Sequence, residues 1–241
     1  MVIGIDVDGT LYDGTRVAPA AARALERARS EGHLLVVVSG RRWEDLPGVL
    51  GSVLDLFHLV VGEEGAVMVD VATGDVRMLA DPIDPSLLAT LEDAKVGPLD
   101  VGRAVIGAPW EFAAQMAAAR DAVGSKLRIV RNKASVALVP PDCDKATGLR
   151  TAVEALHATG APIVAIGDAE NDLPMFAIAT YAFGVANADD SVRDAGIRLT
   201  TGSFGDGVAE ALNGVLDGLL QRRPDGPDVP EVSVPAQAPR G

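Results

Sequence analysis

Residues 2–10 read Val-Ile-Gly-Ile-Asp-Val-Asp-Gly-Thr, a short apolar run that leads directly into two aspartates and a glycine. Such a run is typical of a buried parallel strand that opens into a loop. The next segment carries Pro19 where a helix would begin, small apolar residues at helical spacing, and Gly32 where the helix would end. A second apolar run at residues 34–38 completes a strand, a helix and a strand. This order predicts an α/β fold with a parallel sheet between two layers of helices.

The same pattern of an apolar run followed by glycine and acids returns late in the chain, at residues 163–172. We therefore expect one α/β core built from residues 1–80 and 141–220. Its other strands are predicted at residues 59–61, 66–69, 76–79, 181–185 and 197–199, of which 66–69 and 76–79 form a hairpin.

Residues 81–140 have an order of predicted helices and strands that differs from the flanking strand–helix–strand pattern, and prolines lie at both ends of this stretch. The change of order and the prolines predict an inserted α/β domain rather than a continuation of the core. The residues beyond 220 contain five prolines and no apolar periodicity, so we expect a disordered tail over 221–241. Within the insert we expect a helix at 86–94, a strand at 101–106, a helix at 109–123 and strands at 127–131 and 135–139.

The composition limits the classes of partner. The chain has 241 residues, 48% of them hydrophobic, and a formal net charge of −13. The hydrophobic content excludes a disordered or collagen-like chain, and the acidic charge would repel nucleic acid and anionic membranes. A single cysteine and an N-terminus without a basic, apolar leader predict a cytoplasmic protein. We expect a monomer or a homodimer.

Three predicted parallel strands end in polar residues, and the carboxyl ends of such strands meet at one edge of the sheet. Asp6 and Asp8 follow the first strand, and Asp168 and Asp172 follow the strand near residue 165. Carboxylates this close repel one another unless a cation neutralises them, and oxygen ligands without histidine or cysteine suit Mg²⁺. The alternative is that these acids belong to ordinary turns or to the first turn of a helix.

Groups able to bind a phosphate are expected beside these acids. Ser39 follows the second strand, and Lys145 comes just after the insert. Lys145 would supply positive charge, whereas Ser39 and the backbone amides of Gly9, Thr10 and Gly40 could donate hydrogen bonds. Alone, Ser39 could equally lie in a plain loop and Lys145 on the surface.

Four segments in this order resemble the motifs of the haloacid dehalogenase (HAD) superfamily of phosphotransferases. They are residues 6–10 (Asp-Val-Asp-Gly-Thr), 39–41 (Ser-Gly-Arg), Lys145, and 167–172 (Gly-Asp-Ala-Glu-Asn-Asp). An insert between the second and third motifs is similar to the Cof-type, or IIB, branch, which includes sugar-phosphate and phosphoglycolate phosphatases. The resemblance covers about residues 1–220. It implies a three-layer, Rossmann-like parallel sheet core with an inserted α/β cap domain.

The resemblance also implies a role for each motif acid. Asp6 would be the nucleophile that forms an aspartyl phosphate, and Asp8 would be the general acid and base. Mg²⁺ would be held by the Asp6 carboxylate, the main-chain carbonyl of Asp8 and Asp168, with Asp172 binding it directly or through water.

The remaining motif residues would bind phosphate or substrate. Ser39 and Lys145 would hold the phosphate oxygens, and Asn171 would orient its loop or Lys145. The turn at residues 62–66 resembles the Glu-Asn-Gly turn of this branch but carries Glu64 in place of the usual Asn. Candidate specificity residues are Arg41, Glu64 and Arg131, although Arg131 could equally lie on a solvated sheet face.

The function implied is Mg²⁺-dependent hydrolysis of a small phosphorylated metabolite, either a sugar phosphate or phosphoglycolate. Two alternatives stay open. A sugar phosphomutase would pass the phosphoryl group to another sugar hydroxyl, and a non-catalytic regulatory module would keep the metal without the reaction. The presence of the complete set of motif residues favours an enzyme.

Overall fold

The protein is described by a computed structural model that covers residues 1–132 and 134–218. The tail expected at residues 221–241 lies outside the described residues. The strands are β1 (Val2–Ile5), β2 (Leu34–Val38), β3 (Leu59–Gly62), β4 (Val67–Asp70), β5 (Val76–Met78), β6 (Asp100–Val101), β7 (Ile106–Pro109), β8 (Arg128–Asn132), β9 (Ser135–Val139), β10 (Ile163–Gly167), β11 (Tyr181–Gly184) and β12 (Arg198–Leu199). The α-helices are α1 (Pro19–Ser30), α2 (Leu46–Leu50), α3 (Pro85–Asp93), α4 (Ala113–Ala122), α5 (Lys145–Ala155), α6 (Leu173–Ile178), α7 (Asp190–Asp194) and α8 (Phe204–Leu216).

The larger sheet has the strand order β12-β11-β10-β1-β2-β3-β4-β5 over the described residues. The pairs from β12 to β3 are parallel, and β4 and β5 continue the sheet as antiparallel strands. The predicted hairpin is therefore confirmed as β4 and β5. β1 is central, with β10 on one side and β2 on the other, so the loops after these three strands are neighbours.

Helices cover both faces of this sheet, which explains why its central strands β1, β2, β3 and β10 consist of apolar residues and glycine. On β2, the side chains of Leu35 and Val37 pack in one cluster with Leu25 of α1. The alternate residues Val36 and Val38 pack in the opposite cluster, which contains helix α5. The expected three-layer α/β class is confirmed.

A smaller antiparallel sheet with the order β6-β7-β9-β8 lies over the carboxyl edge of the larger one. Together with α3 and α4 it forms what we call the small unit, residues 85–139. Leu87 of α3 and Met116 of α4 pack with Ile106 and Leu138 on one face of its sheet. These elements fall within the stretch expected to be an insert, and the domain bounds of 81–140 stay a prediction.

One element of the small unit differs from the prediction. The single strand expected at residues 101–106 is wrong, because β6 and β7 form an antiparallel pair with a turn between them. In that turn the backbone amides of residues 103–105 donate to the Glu63 carboxylate instead of to a neighbouring strand. A turn thus interrupts the stretch that the sequence predicts as one strand, and a side chain from a distant part of the chain stabilises that turn.

Among the described helices, none has the length and apolar character needed to cross a bilayer.

Candidate active site

Three acidic side chains meet where β1 and β10 end. Asp6 is 4% exposed, and Asp168 and Asp172 are fully buried. One carboxylate oxygen from each lies within 4.8 Å of the others. We call Asp6, Asp168 and Asp172 the acidic trio.

Lys145 pairs with two members of the trio. Its Nζ donates to Oδ1 of Asp6 at 2.7 Å and to Oδ1 of Asp172 at 2.6 Å, and its side chain is 1% exposed. Three carboxylates against one ammonium leave two negative charges when all are ionised. Because uncompensated buried charge is costly, a set of hard oxygen donors with this excess fits a divalent cation.

The pKa values in this group follow from burial and mutual charge. Burial raises the pKa of Asp6 well above its usual range; the Lys145 charge opposes the rise, and Asp172 and Asp168 add to it. For Lys145, burial alone would lower the pKa, but Asp172 and Asp6 outweigh it and raise the pKa instead. Lys145 is therefore a permanent cation at the floor of the site.

Local interactions fix the trio and its lysine. Oδ2 of Asp172 accepts from the backbone amides of Asp168 at 2.8 Å and Ala169 at 3.0 Å, and Thr10 Oγ1 donates to Asp168 Oδ1 at 3.1 Å. Lys145 is the first residue of α5, which begins with a capping box between Asp144 and Thr147. The helix start thus sets the position of the ammonium.

The turn between β3 and β4 lies against this helix start. Gly65 has φ +95°, and a Cβ there would lie 2.1 Å from the carbonyl oxygen of Asp144, so only glycine fits. Glu64 in the same turn is 7% exposed, and its Oε1 accepts from Asn171 Nδ2 at 3.0 Å. Burial raises the pKa of Glu64, while Lys145 and the Asn171 hydrogen bond oppose that rise.

Asp8 lies apart from the trio, at the edge of the site. Its carboxylate pairs with Arg41, with distances of 2.6 Å from Nε to Oδ2 and 2.7 Å from Nη2 to Oδ1. Ser39, which is 1% exposed, accepts at its Oγ from the Arg41 amide at 3.1 Å. The metal contact expected of Asp8 concerned its carbonyl and stays a prediction.

A cavity of about 380 Å³ lies between the larger sheet and the small unit. Most of the sequence-predicted residues line it, and small side chains of the small unit form the opposite wall. The lining residues of the core include Asp6, Asp8, Ser39, Gly40, Arg41, Arg42, Glu64, Lys145, Asp168 and Asn171, and those of the small unit include Val105, Gly107, Ala108, Ser135 and Ala137.

Two predicted phosphate donors do not face this cavity. The amide of Gly9 donates to the Tyr12 carbonyl at 3.1 Å, and the amide of Thr10 donates to the Val7 carbonyl at 3.3 Å. The loop after β1 uses both amides to close its own turn. A contact of these two amides with phosphate stays a prediction.

Arg131 also lies away from the acidic trio. Its guanidinium lies 4.5 Å from the centroid of the Trp110 ring, and the residue lines a second cavity of about 260 Å³. Glu64 and Asn171 line both cavities. The structure thus places Arg131 beyond Glu64, separated from Asp6.

Sequence reasoning missed Glu63, which joins the core to the small unit. Its carboxylate is 1% exposed and accepts from the amides of Arg103 at 3.0 Å, Ala104 at 2.8 Å and Val105 at 3.2 Å. A Cβ on Gly102 would lie 2.3 Å from Glu63 Oε2. The sequence feature that could have identified Glu63 is the pair of adjacent glutamates between two apolar strands. Acids at such a position become buried, and a buried carboxylate needs hydrogen-bond partners from elsewhere in the fold.

Two ion pairs reinforce this junction. Arg42 Nε lies 3.2 Å from Oδ1 of Asp100, and Arg103 Nη2 lies 2.8 Å from Oε1 of Glu44. One buried carboxylate and two exposed ion pairs thus help to hold the small unit over the cavity.

Curated relatives match nearly the whole chain. A phosphoglycolate phosphatase of Haloarcula marismortui is 29% identical over 221 residues, covering 86% of this chain and 94% of its own. A phosphoglycolate phosphatase of Methanothermobacter thermautotrophicus is 28% identical over 222 residues, covering 87% and 96%.

Solved structures share the fold. A Thermoplasma acidophilum protein superposes with a TM-score of 0.72 at 21% identity, covering 91% of this chain and 98% of its own. A HAD/COF-like hydrolase of Plasmodium vivax superposes with a TM-score of 0.74 at 19% identity, covering 90% and 95%. Residues 3–95 and 110–212 match the model of a hydrolase family. The resemblance seen in the four motifs is thus confirmed, and the chain belongs to the haloacid dehalogenase-like hydrolases.

Proposed function

We propose that this protein is a phosphatase that hydrolyses small phosphate monoesters in the cavity between the larger sheet and the small unit. The observation that carries the proposal is the acidic trio with Lys145, placed at the floor of a cavity of about 380 Å³. A buried group of acids with one fixed cation suits the binding of a dication together with a phosphate dianion. The volume is in the range of small-molecule sites.

Asp6 is the nucleophile in this proposal. It is the trio member that lies on the cavity wall at the end of β1, and Lys145 fixes its Oδ1. A carboxylate oxygen of Asp6 forms a bond to phosphorus as the ester P–O bond breaks, which gives an aspartyl phosphate and an alkoxide. Ser39 and Lys145 hold the phosphate oxygens in this proposal, which is supported by the fact that both line the same cavity as Asp6.

Asp8 moves the protons. It donates one to the leaving alkoxide, then takes one from the water that attacks the aspartyl phosphate, and the Asp6 carboxylate and free phosphate are released. Asp8 lies on the cavity wall, and its side chain is 47% exposed, so it can exchange protons with solvent between turnovers.

The proposed cation is Mg²⁺, held by the carboxylates of Asp6, Asp168 and Asp172 with the carbonyl of Asp8. Oxygen donors without histidine or cysteine support this choice. When bound, the ion supplies positive charge that offsets the repulsion between the trio and an incoming phosphate.

Phosphoglycolate is the proposed substrate, and a sugar phosphate is the other class that the motifs allow. Two relatives that align over more than nine-tenths of their own length are named phosphoglycolate phosphatase. The small side chains of Gly107 and Ala137 on the opposite wall are compatible with either ligand.

The test is phosphate release from phosphoglycolate, a set of sugar phosphates and an aryl phosphate, with Mg²⁺ or with a chelator. Wild type should release phosphate only with the metal, and Asp6→Asn should release none. Asp190→Asn is the matched control, because its side chain is 97% exposed, and it should behave as wild type. Activity that needs an added sugar bisphosphate would instead indicate a mutase. No release from any ester would favour the non-catalytic alternative.

A further inference from the structure

The edge of the cavity holds a charge pair that includes one of the proposed reacting groups. Both carboxylate oxygens of Asp8 accept from Arg41, at 2.6 and 2.7 Å. Arg41 thus occupies one acceptor position on each oxygen. Removing Arg41 from Asp8 would leave the whole carboxyl group free to face a leaving oxygen.

Arg41 is anchored beside the site that would hold the phosphate. Its amide donates to Ser39 Oγ at 3.1 Å, and its carbonyl accepts from the Glu63 amide at 3.0 Å. Its side chain is 35% exposed and that of Asp8 is 47% exposed. Because both side chains of this pair are partly exposed and line the cavity, another carboxylate can approach the guanidinium from the cavity and replace Asp8 on it.

The other cations on the cavity wall are engaged elsewhere. Within the described residues that line it, the cationic side chains are Arg41, Arg42 and Lys145. Lys145 is shared between Asp6 and Asp172. Arg42 binds Asp45 through two nitrogens and lies 3.2 Å from Asp100.

We infer that Arg41 recognises a carboxylate on the substrate, and that this contact releases Asp8 to act as the proton donor. The inference deepens the proposed function and rests on it. In the structure the planar Arg41 guanidinium binds the Asp8 carboxylate through two nitrogens. A substrate carboxylate is the same chemical group and can bind in the same geometry. The exchange couples recognition to the chemistry, because binding of the correct substrate completes the site.

The substrate class follows from the contact between Arg41 and Asp8. Asp8 is proposed to protonate the leaving oxygen of the ester, so a carboxylate that replaces Asp8 on Arg41 lies a few bonds from that oxygen, as it does in phosphoglycolate. A neutral sugar phosphate has no group that replaces Asp8 on Arg41. The structure therefore favours a small phosphate ester of a hydroxy acid over a sugar phosphate.

The test compares phosphoglycolate with its neutral amide, which keeps the shape and removes the charge. The quantities to measure are kcat and KM for both esters with Mg²⁺, in wild type, Arg41→Gln, Arg41→Lys and Arg42→Gln. Wild type should prefer the acid by about 10- to 100-fold in kcat/KM, the effect of one charge-assisted pair. Arg41→Gln should abolish this preference and raise KM for the acid. Arg41→Lys should restore part of the preference, and Arg42→Gln should keep it.

Equal use of the acid and the amide by wild type would overturn the inference. So would an Arg41→Gln variant that loses activity on both esters alike and keeps the preference. Calorimetric binding of the two esters to Asp6→Asn, with and without Arg41→Gln, gives a readout that needs no turnover. Tighter binding of the acid that depends on Arg41 would uphold recognition even if wild type hydrolysed neither ester, a result that would defeat the proposed function alone. The same binding for acid and amide would defeat the recognition itself.

Discussion

Lys145 and Asp6 are 139 residues apart in the sequence, yet Lys145 Nζ lies 2.7 Å from Asp6 Oδ1 with both side chains almost completely buried. The same ammonium lies 2.6 Å from Asp172. One cation thus compensates two buried carboxylates, and the stability of this edge of the sheet depends on it.

Replacing Lys145 with Met should therefore destabilise the protein in the absence of metal. Breaking a buried pair leaves an uncompensated charge, and the expected loss in the free energy of unfolding is about 3–5 kcal/mol. The measurement is urea unfolding in a chelator. Lys126→Met, at an exposed lysine, is the matched control and should change little. A similar small change in both variants would show that the acids take up protons at no cost.

Metal binding should stabilise the fold through the acidic trio. A ligand that binds only the folded state at 100 times its Kd adds about 2.7 kcal/mol. We expect Mg²⁺ to raise the Tm of wild type, and Asp168→Asn to remove most of this rise because one trio oxygen loses its charge. Thermal unfolding with Mg²⁺ and with a chelator measures the effect. An Asp168→Asn variant that keeps the full rise would place the metal elsewhere.

Glu64 should make stability depend on pH. Burial raises its pKa, so the folded chain keeps this proton at pH values where the unfolded chain has lost it. The stabilisation is complete below the ordinary pKa and is lost as pH rises through the raised value. Glu64→Gln does not titrate and can still accept from Asn171, so its stability relative to wild type should increase with pH.

Urea unfolding of both proteins in a chelator, from about pH 4.5 to pH 8, follows this difference. Its expected size is about 1 kcal/mol, typical of one buried polar group. Parallel pH profiles would contradict the prediction and indicate that Glu64 ionises as freely when folded.

Gly102 should not tolerate a side chain. A Cβ there would lie 2.3 Å from Glu63 Oε2, so Gly102→Ala must displace the carboxylate that binds three amides of the small unit. The expected cost is about 1–3 kcal/mol, with a higher KM because the small unit forms one wall of the cavity. Gly48→Ala is the control, since no heavy atom outside the local backbone of its own helix lies within 4 Å of its Cβ position. Urea unfolding and steady-state kinetics check both variants. The same stability and KM in both would mean that the Glu63 carboxylate can move aside at no cost.

The residue pattern alone predicts which side chains gather at the carboxyl edge of the larger sheet. The apolar run of β1 ends at Asp6, and that of β10 ends before Asp168, as the residue pattern predicted. Parallel strands that are buried on both faces leave a strong local signal, and their carboxyl ends meet by topology. Four short motifs therefore sufficed to predict the placement of Asp6, Lys145, Asp168 and Asp172.

The contacts that these residues make are visible only in the three-dimensional structure. It pairs Asp8 with Arg41, uses the amides of Gly9 and Thr10 within their own loop, and sends Arg131 to a second cavity. It also breaks the strand expected at residues 101–106 because Glu63, some forty residues earlier, accepts the amides of that turn. Side-chain direction and the use of each donor depend on how two distant segments pack together, and such packing leaves no periodic trace in the sequence of either segment.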